Sequence, residues 1–259
     1  MGKIGTEASI NPLIKLLDDD DYNVRRSAAD ALGKIGTEAS INPLIKLLDD
    51  DDYNVRRSAA DALEKIGTEA TIDPLIKWLD DDHYSVRRSA ADALGKIGTE
   101  ASIDLLIKWL DDDHYSVRRS AADALGKIGT EATIDPLIKL LDDDDSDVRR
   151  SAASALGKIG KEATIDPLIK LLDDDDSSVR RSAADALGKI GTEATIDRLI
   201  KLLDDEDSSV RSRAAEALGK IGKEATIDPL IKLLDDHHYL VRKSAANALG
   251  SGKKPPSTP

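Results

Sequence analysis

Acidic residues, histidines and arginines are the side chains of this chain best equipped for chemistry, and they arrive together. The string LLDDDDYNVRR fills residues 16–26 and returns unchanged at 47–57; it returns again as WLDDDHYSVRR at 78–88 and 109–119. Four carboxylates in a row offer oxygen ligands to a divalent cation. A calcium loop, however, alternates its ligands, needs a glycine at its sharp turn and closes on a bidentate glutamate. DDDDYNVRR contains neither glycine nor glutamate. Position 20 becomes Glu206 and His237 in other copies, and position 21 becomes His83, His114 and His238, so no ligand set is held constant. None of the four histidines forms an H-E-x-x-H pattern. The serines are repeat-wide helix or loop residues without a nucleophile turn, which gives a Ser–His pair no support. The expectation is therefore no catalytic residue, no metal and no other cofactor. The acidic run reads as loop and helix cap, where carboxylates favour a helix N-terminus. Weak, non-specific cation binding along an acidic edge is the competing reading.

The elements that position these residues repeat with them. Blocks of 31 residues begin at Gly5, Gly36, Gly67, Gly98, Gly129, Gly160, Gly191 and Gly222. Each block reads as two helices, here called A and B. In the first B helix, Val24, Ala28, Ala31, Leu32 and Ile35 fall on one face, which predicts a helix over about 22–35 with a buried stripe. Asp21 suits its N-cap, and Gly36, glycine in every copy, suits the left-handed residue beyond its end. Gly33 becomes Glu64 in the second copy, so its small size is not required for a turn. In helix A the stripe is Ile10, Leu13, Ile14 and Leu17, with Leu16 on the flank. Two starts are open. Position 9, Ser or Thr in every copy, would cap the helix and put Pro12 harmlessly in its first turn, or the helix begins near Glu7 and kinks at the proline. Leu105 and Arg198 replace that proline, so it shapes the helix rather than carrying chemistry.

Helix pairs this short bury both stripes only by stacking, which predicts an all-α solenoid of eight repeats over residues 5–250. Residues 1–4 would be the end of a partial helix and 251–259 a flexible tail. A net charge of −13 and a pI near 4.8 argue against nucleic acid and anionic membranes as partners. The absence of cysteine excludes disulfides, thiol nucleophiles and cysteine-ligated metals. No apolar run suits a signal peptide or a membrane span, so a soluble protein is expected, cytoplasmic if natural.

The combination of P-L-I-K-x-L, D-x4-V-R and A-A-x-A-L-G-x-I-G, all present in residues 160–191, resembles HEAT-like repeats of the phycobilisome-lyase type. It also closely resembles the consensus of the artificial alphaRep libraries. Consensus design and recent duplication both account for copies this similar. The resemblance implies a right-handed solenoid. It also implies a structural ladder between adjacent repeats, in which Asp19, Asp50, Asp81, Asp112, Asp143, Asp174, Asp205 and Asp236 pair with Arg25, Arg56, Arg87, Arg118, Arg149, Arg180, Arg211 and Arg242. Asp18 is equally constant and is expected to help hold the stack. HEAT-repeat deoxyhypusine hydroxylases carry His–Glu iron motifs, and the dipeptide HE is absent here.

Variation among the copies marks a candidate partner-binding surface. On a helical wheel Tyr22, Arg26, Asp30 and Gly33 lie opposite the buried stripe, with Asn23 and Ser27 nearby. The first position of helix B runs Tyr22, Tyr53, Tyr84, Tyr115, then Ser146, Ser177, Ser208, then Tyr239, which accounts for every tyrosine. In the alphaRep pattern the diversified concave-face positions match 22, 23, 26, 27 and 30. The resemblance thus assigns a binding face to Tyr22, Asn23, Arg26 and Asp30, to Tyr53, Asn54, Arg57 and Asp61, and to Tyr84, Ser85, Arg88 and Asp92. Tyr115, Ser116, Arg119, Asp123 and the isolated Tyr239 complete it. Tyrosine brings large amphipathic area at modest entropy cost. The bland alternative is a solvated face where Tyr covers a loop and Arg26 pairs with Asp30. Trp78 and Trp109 replace the Leu16-type residue and are expected in inter-repeat packing, an exposed aromatic patch being the alternative.

The sequence therefore predicts a non-enzymatic scaffold for a protein partner. A bilin- or chromophore-lyase role is the alternative that the resemblance supplies. No polar capping repeat is recognisable at either end, which permits end-to-end self-association.

Overall fold

A computed structural model describes residues 7–68, 71, 72, 75, 81–99 and 102–250. Residues 1–4, Trp78 and the tail at 251–259 lie outside them. The described residues form helices and connecting turns, without a strand. Contacts divide the chain into two compact units, Met1–Ile128 and Gly129–Pro259.

The B helices of the first unit are Tyr22–Ile35, Tyr53–Ile66, Tyr84–Ile97 and Tyr115–Ile128, each packed against the next. Those of the second unit are Ser146–Ile159, Ser177–Ile190, Ser208–Ile221 and Tyr239–Gly250, packed in the same way. Gly36, Gly67, Gly98, Gly129, Gly160, Gly191 and Gly222 all have positive φ, the left-handed conformation that ends a helix and strains any side chain. Val55, Ala59, Ala62 and Leu63 are fully buried, as the predicted stripe requires.

Packing of B against B buries more than that stripe. A Cβ built on Gly33 would lie 2.7 Å from the Cα of Ala62, and one on Gly188 2.7 Å from that of Ala217. Gly33 is therefore buried against the next repeat, not turned outward as the wheel suggests. Ser58, Ser89 and Ser120, counterparts of Ser27, are buried for the same reason. A wheel drawn for one helix against one neighbour misses a helix flanked by parallel copies of itself.

Helix A takes one expected start in the first repeat and, elsewhere among the described residues, the other without its side-chain cap bond. In the fifth repeat it is a 3-10 turn, Glu131–Thr133, an α segment, Ile134–Lys139, and a closing 3-10 turn, Leu140–Asp142. Thr133 has helical backbone and makes no N-cap bond; its Oγ1 donates back to the carbonyl of Thr130 at 2.6 Å. The proline thus sits within the first turn of the α segment, where its missing N–H has no helical partner. Only the first repeat runs from Glu7–Lys15 through Pro12 as one α-helix among the described residues. The tight closing turn also shifts the phase of the apolar stripe. Trp109 and Leu140, which open that turn at the Leu16 position, are buried, whereas Ile107 and Ile138, at the Ile14 position, are only half-buried.

Candidate partner-binding face

The acidic loops of the first seven repeats end in a side-chain helix cap, whereas Nδ1 of His238 in the last accepts no such bond. Asp21 accepts the N–H of Asn23 at 2.8 Å, and Asp145 and Asp207 accept their counterparts at 2.9 and 2.7 Å. In the third and fourth repeats histidine does this work. Nδ1 of His83 accepts the N–H of Ser85 at 3.3 Å and the Ser85 hydroxyl at 2.7 Å; His114 and Ser116 repeat the arrangement at 3.2 and 2.8 Å. Nδ1 must carry a lone pair to accept, so the proton of the neutral ring lies on Nε2. Ser85 and Ser116 are buried and committed to these caps, which removes both from the outward face.

Capping orients the imidazoles into the tyrosine row. Tyr53 stacks on His83 with centroids 3.8 Å apart and 9° between planes, and His83 meets Tyr84 at 5.0 Å. Tyr84 stacks on His114 at 3.8 Å and 2°, and His114 meets Tyr115 at 5.0 Å. Five rings thus form one column on the first unit. Its tyrosines stay exposed, at 39%, 39% and 42% for Tyr53, Tyr84 and Tyr115. Tyr22 is exposed, and the cap of the next repeat is Asp52, not histidine. The Ser counterparts make another joint: Ser146 stands beside the Asp176 cap and Ser177 beside the Asp207 cap, where each helps to hold the carboxyl low. The sequence carried the signal for the column, because His83 and His114 each lie one residue before a tyrosine and thirty after another.

Behind the column lie two half-buried rows. Asn23 is exposed and Asn54 half-buried; Arg26, Arg57, Arg88 and Arg119 are half-buried, as are Asp30, Asp61, Asp92 and Asp123. Burial pushes the Asp92 carboxyl above its usual range, against the opposing pull of Lys127 and a hydrogen bond from Ser120. Tyr239, in the second unit, is exposed and meets His238 at 5.5 Å.

The constant residues meet at the other side of the loop. Arg25 donates through Nε and Nη2 to both oxygens of Asp50, at 2.7 and 2.9 Å, and through Nη1 to the carbonyl of Asp19 at 2.8 Å. The same fork joins Arg56 to Asp81 and Arg87 to Asp112. In the second unit it joins Arg149 to Asp174, Arg180 to Asp205 and Arg211 to Asp236. Arg118 holds the carbonyl of Asp112, and Asp143 accepts the N–H of Asp145. Burial would raise the carboxyls of Asp81 and Asp112, but hydrogen bonds from Arg56 and His83 N–H, and from Arg87 and His114 N–H, outweigh it and hold both low. The Arg211 hydrogen bond, against desolvation, does so for Asp236. Asp18 and its described counterparts are exposed and make no such fork, so constancy alone does not place them in the stack.

Open grooves recur beside this ladder. One of about 600 Å³ is lined by Ile200, Leu203, Arg211, Pro229 and Asp236, and one of about 530 Å³ by their equivalents Ile138, Leu141, Arg149, Pro167 and Asp174. They are properties of the repeat, the first differing in Glu206 and in His237 where the second has Asp175. No group of three metal-ligating side chains occurs among the described residues.

The match to HEAT repeats covers residues 1–64, 41–122, 103–187 and 165–250. The chain belongs to the HEAT-repeat family, and its fold is an α-solenoid of helix pairs. It is similar to the solved structure of an engineered protein, with 28% identity over 93% of this chain and 78% of that one, at a TM-score of 0.55. It is similar also to the complex of CpcE and CpcF of phycocyanin lyase from Nostoc sp. PCC7120, with 25% identity, 97% of both chains covered and a TM-score of 0.55. The YibA protein of E. coli shares 25% identity over 96% of this chain and 99% of that one, at a TM-score of 0.67. No curated protein matches the chain in sequence. Trp109 is buried, and among the described residues no helix is long and apolar enough to cross a membrane.

Proposed function

We propose that the chain is a non-catalytic scaffold that holds a protein partner on the B-helix face of its first unit. The observation that carries this reading is the column Tyr53–His83–Tyr84–His114–Tyr115. In the second unit Ser146 and Ser177 replace tyrosine and the B helices still pack against one another, so joining repeats does not require five aromatic rings. The column adds exposed aromatic area whose rotamers are already fixed by stacking, which lowers the entropy cost of binding. Arg57, Arg88 and Arg119 stand beside it with planar forks suited to carboxylates or carbonyls. The test is capture of a partner by the wild type and by the triple variant Y53S/Y84S/Y115S with unchanged helicity. Loss of the wild-type partner supports the face; undiminished capture removes it.

The likeness to CpcE and CpcF favours one other reading, chromophore handling. Incubation with a linear tetrapyrrole separates the two: the scaffold leaves the absorbance spectrum unchanged, and a shifted band would favour the lyase.

A further inference from the structure

The first and last repeats expose the two halves of the contact that recurs between repeats. In the last, Ile227 is 44% exposed and Leu234 38%, whereas their counterparts one repeat earlier, Ile196 and Leu203, are 6% and 5%. In the first, Leu16 is 41% exposed where Leu47 is 6%. Small residues follow the same pattern. Gly219 is pressed against Ala248, while Gly250 has nothing within 4 Å, and Ala31, the counterpart of Ala248 in the first repeat, is only half-buried.

The polar groups at these faces are complementary and already set in geometry. Nη1 of Arg242 holds the carbonyls of Asp236 and His237 at 2.7 and 3.0 Å, as Arg211 holds those of Asp205 and Glu206 at 2.8 and 3.1 Å. Nε and Nη2, which in Arg211 clamp Asp236, meet no carboxylate in Arg242 among the described residues. The carboxylate of Asp19 accepts the N–H of Asp21 at 2.9 Å, as that of Asp50 accepts the N–H of Asp52 at 2.9 Å, but no arginine bonds to the Asp19 carboxylate among the described residues. One face offers the donor half of a rung and the other its acceptor half.

We propose that the occupant of each face is a second copy of this chain, seated as the next repeat would be. Arg242 of one copy forks onto Asp19 of the other, and its Nη2 reaches Asp20 as Arg56 reaches Asp82 and Arg87 reaches Asp113, each at 2.7 Å. Gly250 admits Ala31, and the apolar residues at both faces are covered together. The two surfaces differ, so the contact is heterologous and propagates from copy to copy. It is independent of the tyrosine column.

Sedimentation velocity of the 259-residue chain across a concentration series tests this. The expected mass rises with concentration above the 27.8 kDa of one chain. Gly250→Leu, at a position where a Cβ has open space in the monomer, should abolish the rise. So should R242E and D19R, each alone, through like charges at the rung. Mixing R242E with D19R should restore it, because every contact then pairs Arg with an acid, which separates a broken interface from a misfolded repeat. A mass of 27.8 kDa throughout, association unaffected by Gly250→Leu, or failure of the mixture to recover would overturn the proposal.

Discussion

His83 and His114 do two things at once, and the two can be separated by substitution. As caps they hold the first N–H groups of their helices; as rings they join Tyr53, Tyr84 and Tyr115 into a column. Asp52, Asp145 and Asp207 show that aspartate caps the same position without a ring. H83D/H114D should therefore keep its denaturation free energy within about 1 kcal/mol, while H83A/H114A should lose about 1 kcal/mol per cap. Partner binding should weaken in both pairs. If binding follows stability instead, the rings serve the cap alone.

Glu64 is the other residue whose behaviour departs from its counterparts. It replaces a glycine that elsewhere lets B helices touch, and its carboxyl is pushed up from the ordinary 4.5 by burial first, with Lys96 opposing and Asp92 and Asp61 adding. The folded state thus holds this proton to higher pH than the unfolded chain. The stability that follows is complete below 4.5 and is lost as pH rises through the folded value. E64Q should be more stable than the wild type at neutral pH, and that gain should shrink at pH 4; denaturant titration at both pH values measures it. A gain that grows on acidification would place Glu64 in a favourable ion pair instead.

Among the elements, the ladder carries the most concentrated polar contact. Arg180 makes two hydrogen bonds to Asp205 and two to the carbonyls of Asp174 and Asp175. Arg180→Leu leaves a largely buried carboxylate without its counter-charge, at a cost of about 3 kcal/mol. Hydrogen exchange should accelerate first in Ser177–Ile190 and Ser208–Ile221, since repeats are stabilised by nearest neighbours. Lysine should not rescue it, because an ammonium lacks the planar fork. Uniform acceleration across all repeats would mean that the rung acts globally.

The B helices were legible in the sequence because their spacing, Asp21 cap and Gly36 end all agree with one geometry. Helix A was less so. In the fifth repeat its closing 3-10 turn, Leu140–Asp142, changes the phase of the apolar stripe between Leu137 and Leu140, and no spacing rule for a uniform α-helix contains that change. Ser85 and Ser116 were misplaced because their burial comes from a histidine cap and a neighbouring helix, both remote from a single-helix wheel.

For the whole molecule, the fold follows from repetition, and the proposed binding face from where the repetition breaks. Tyr53 with His83 and Tyr84 with His114 occupy joints of the first unit, where Ser146 with Asp176 and Ser177 with Asp207 occupy the corresponding joints of the second. A surface maintained only as scaffold has no use for that difference. Rings at the centre of an interface are expected to carry several kcal/mol of binding between them. The direct measurement is titration of the captured, purified partner into the wild type and into Y53S/Y84S/Y115S, matched in helicity and melting temperature. The account predicts a Kd at least about a hundredfold weaker for the variant, equivalent to about 2.7 kcal/mol. Equal affinities would show that the partner binds elsewhere and that the column is only a joint between repeats.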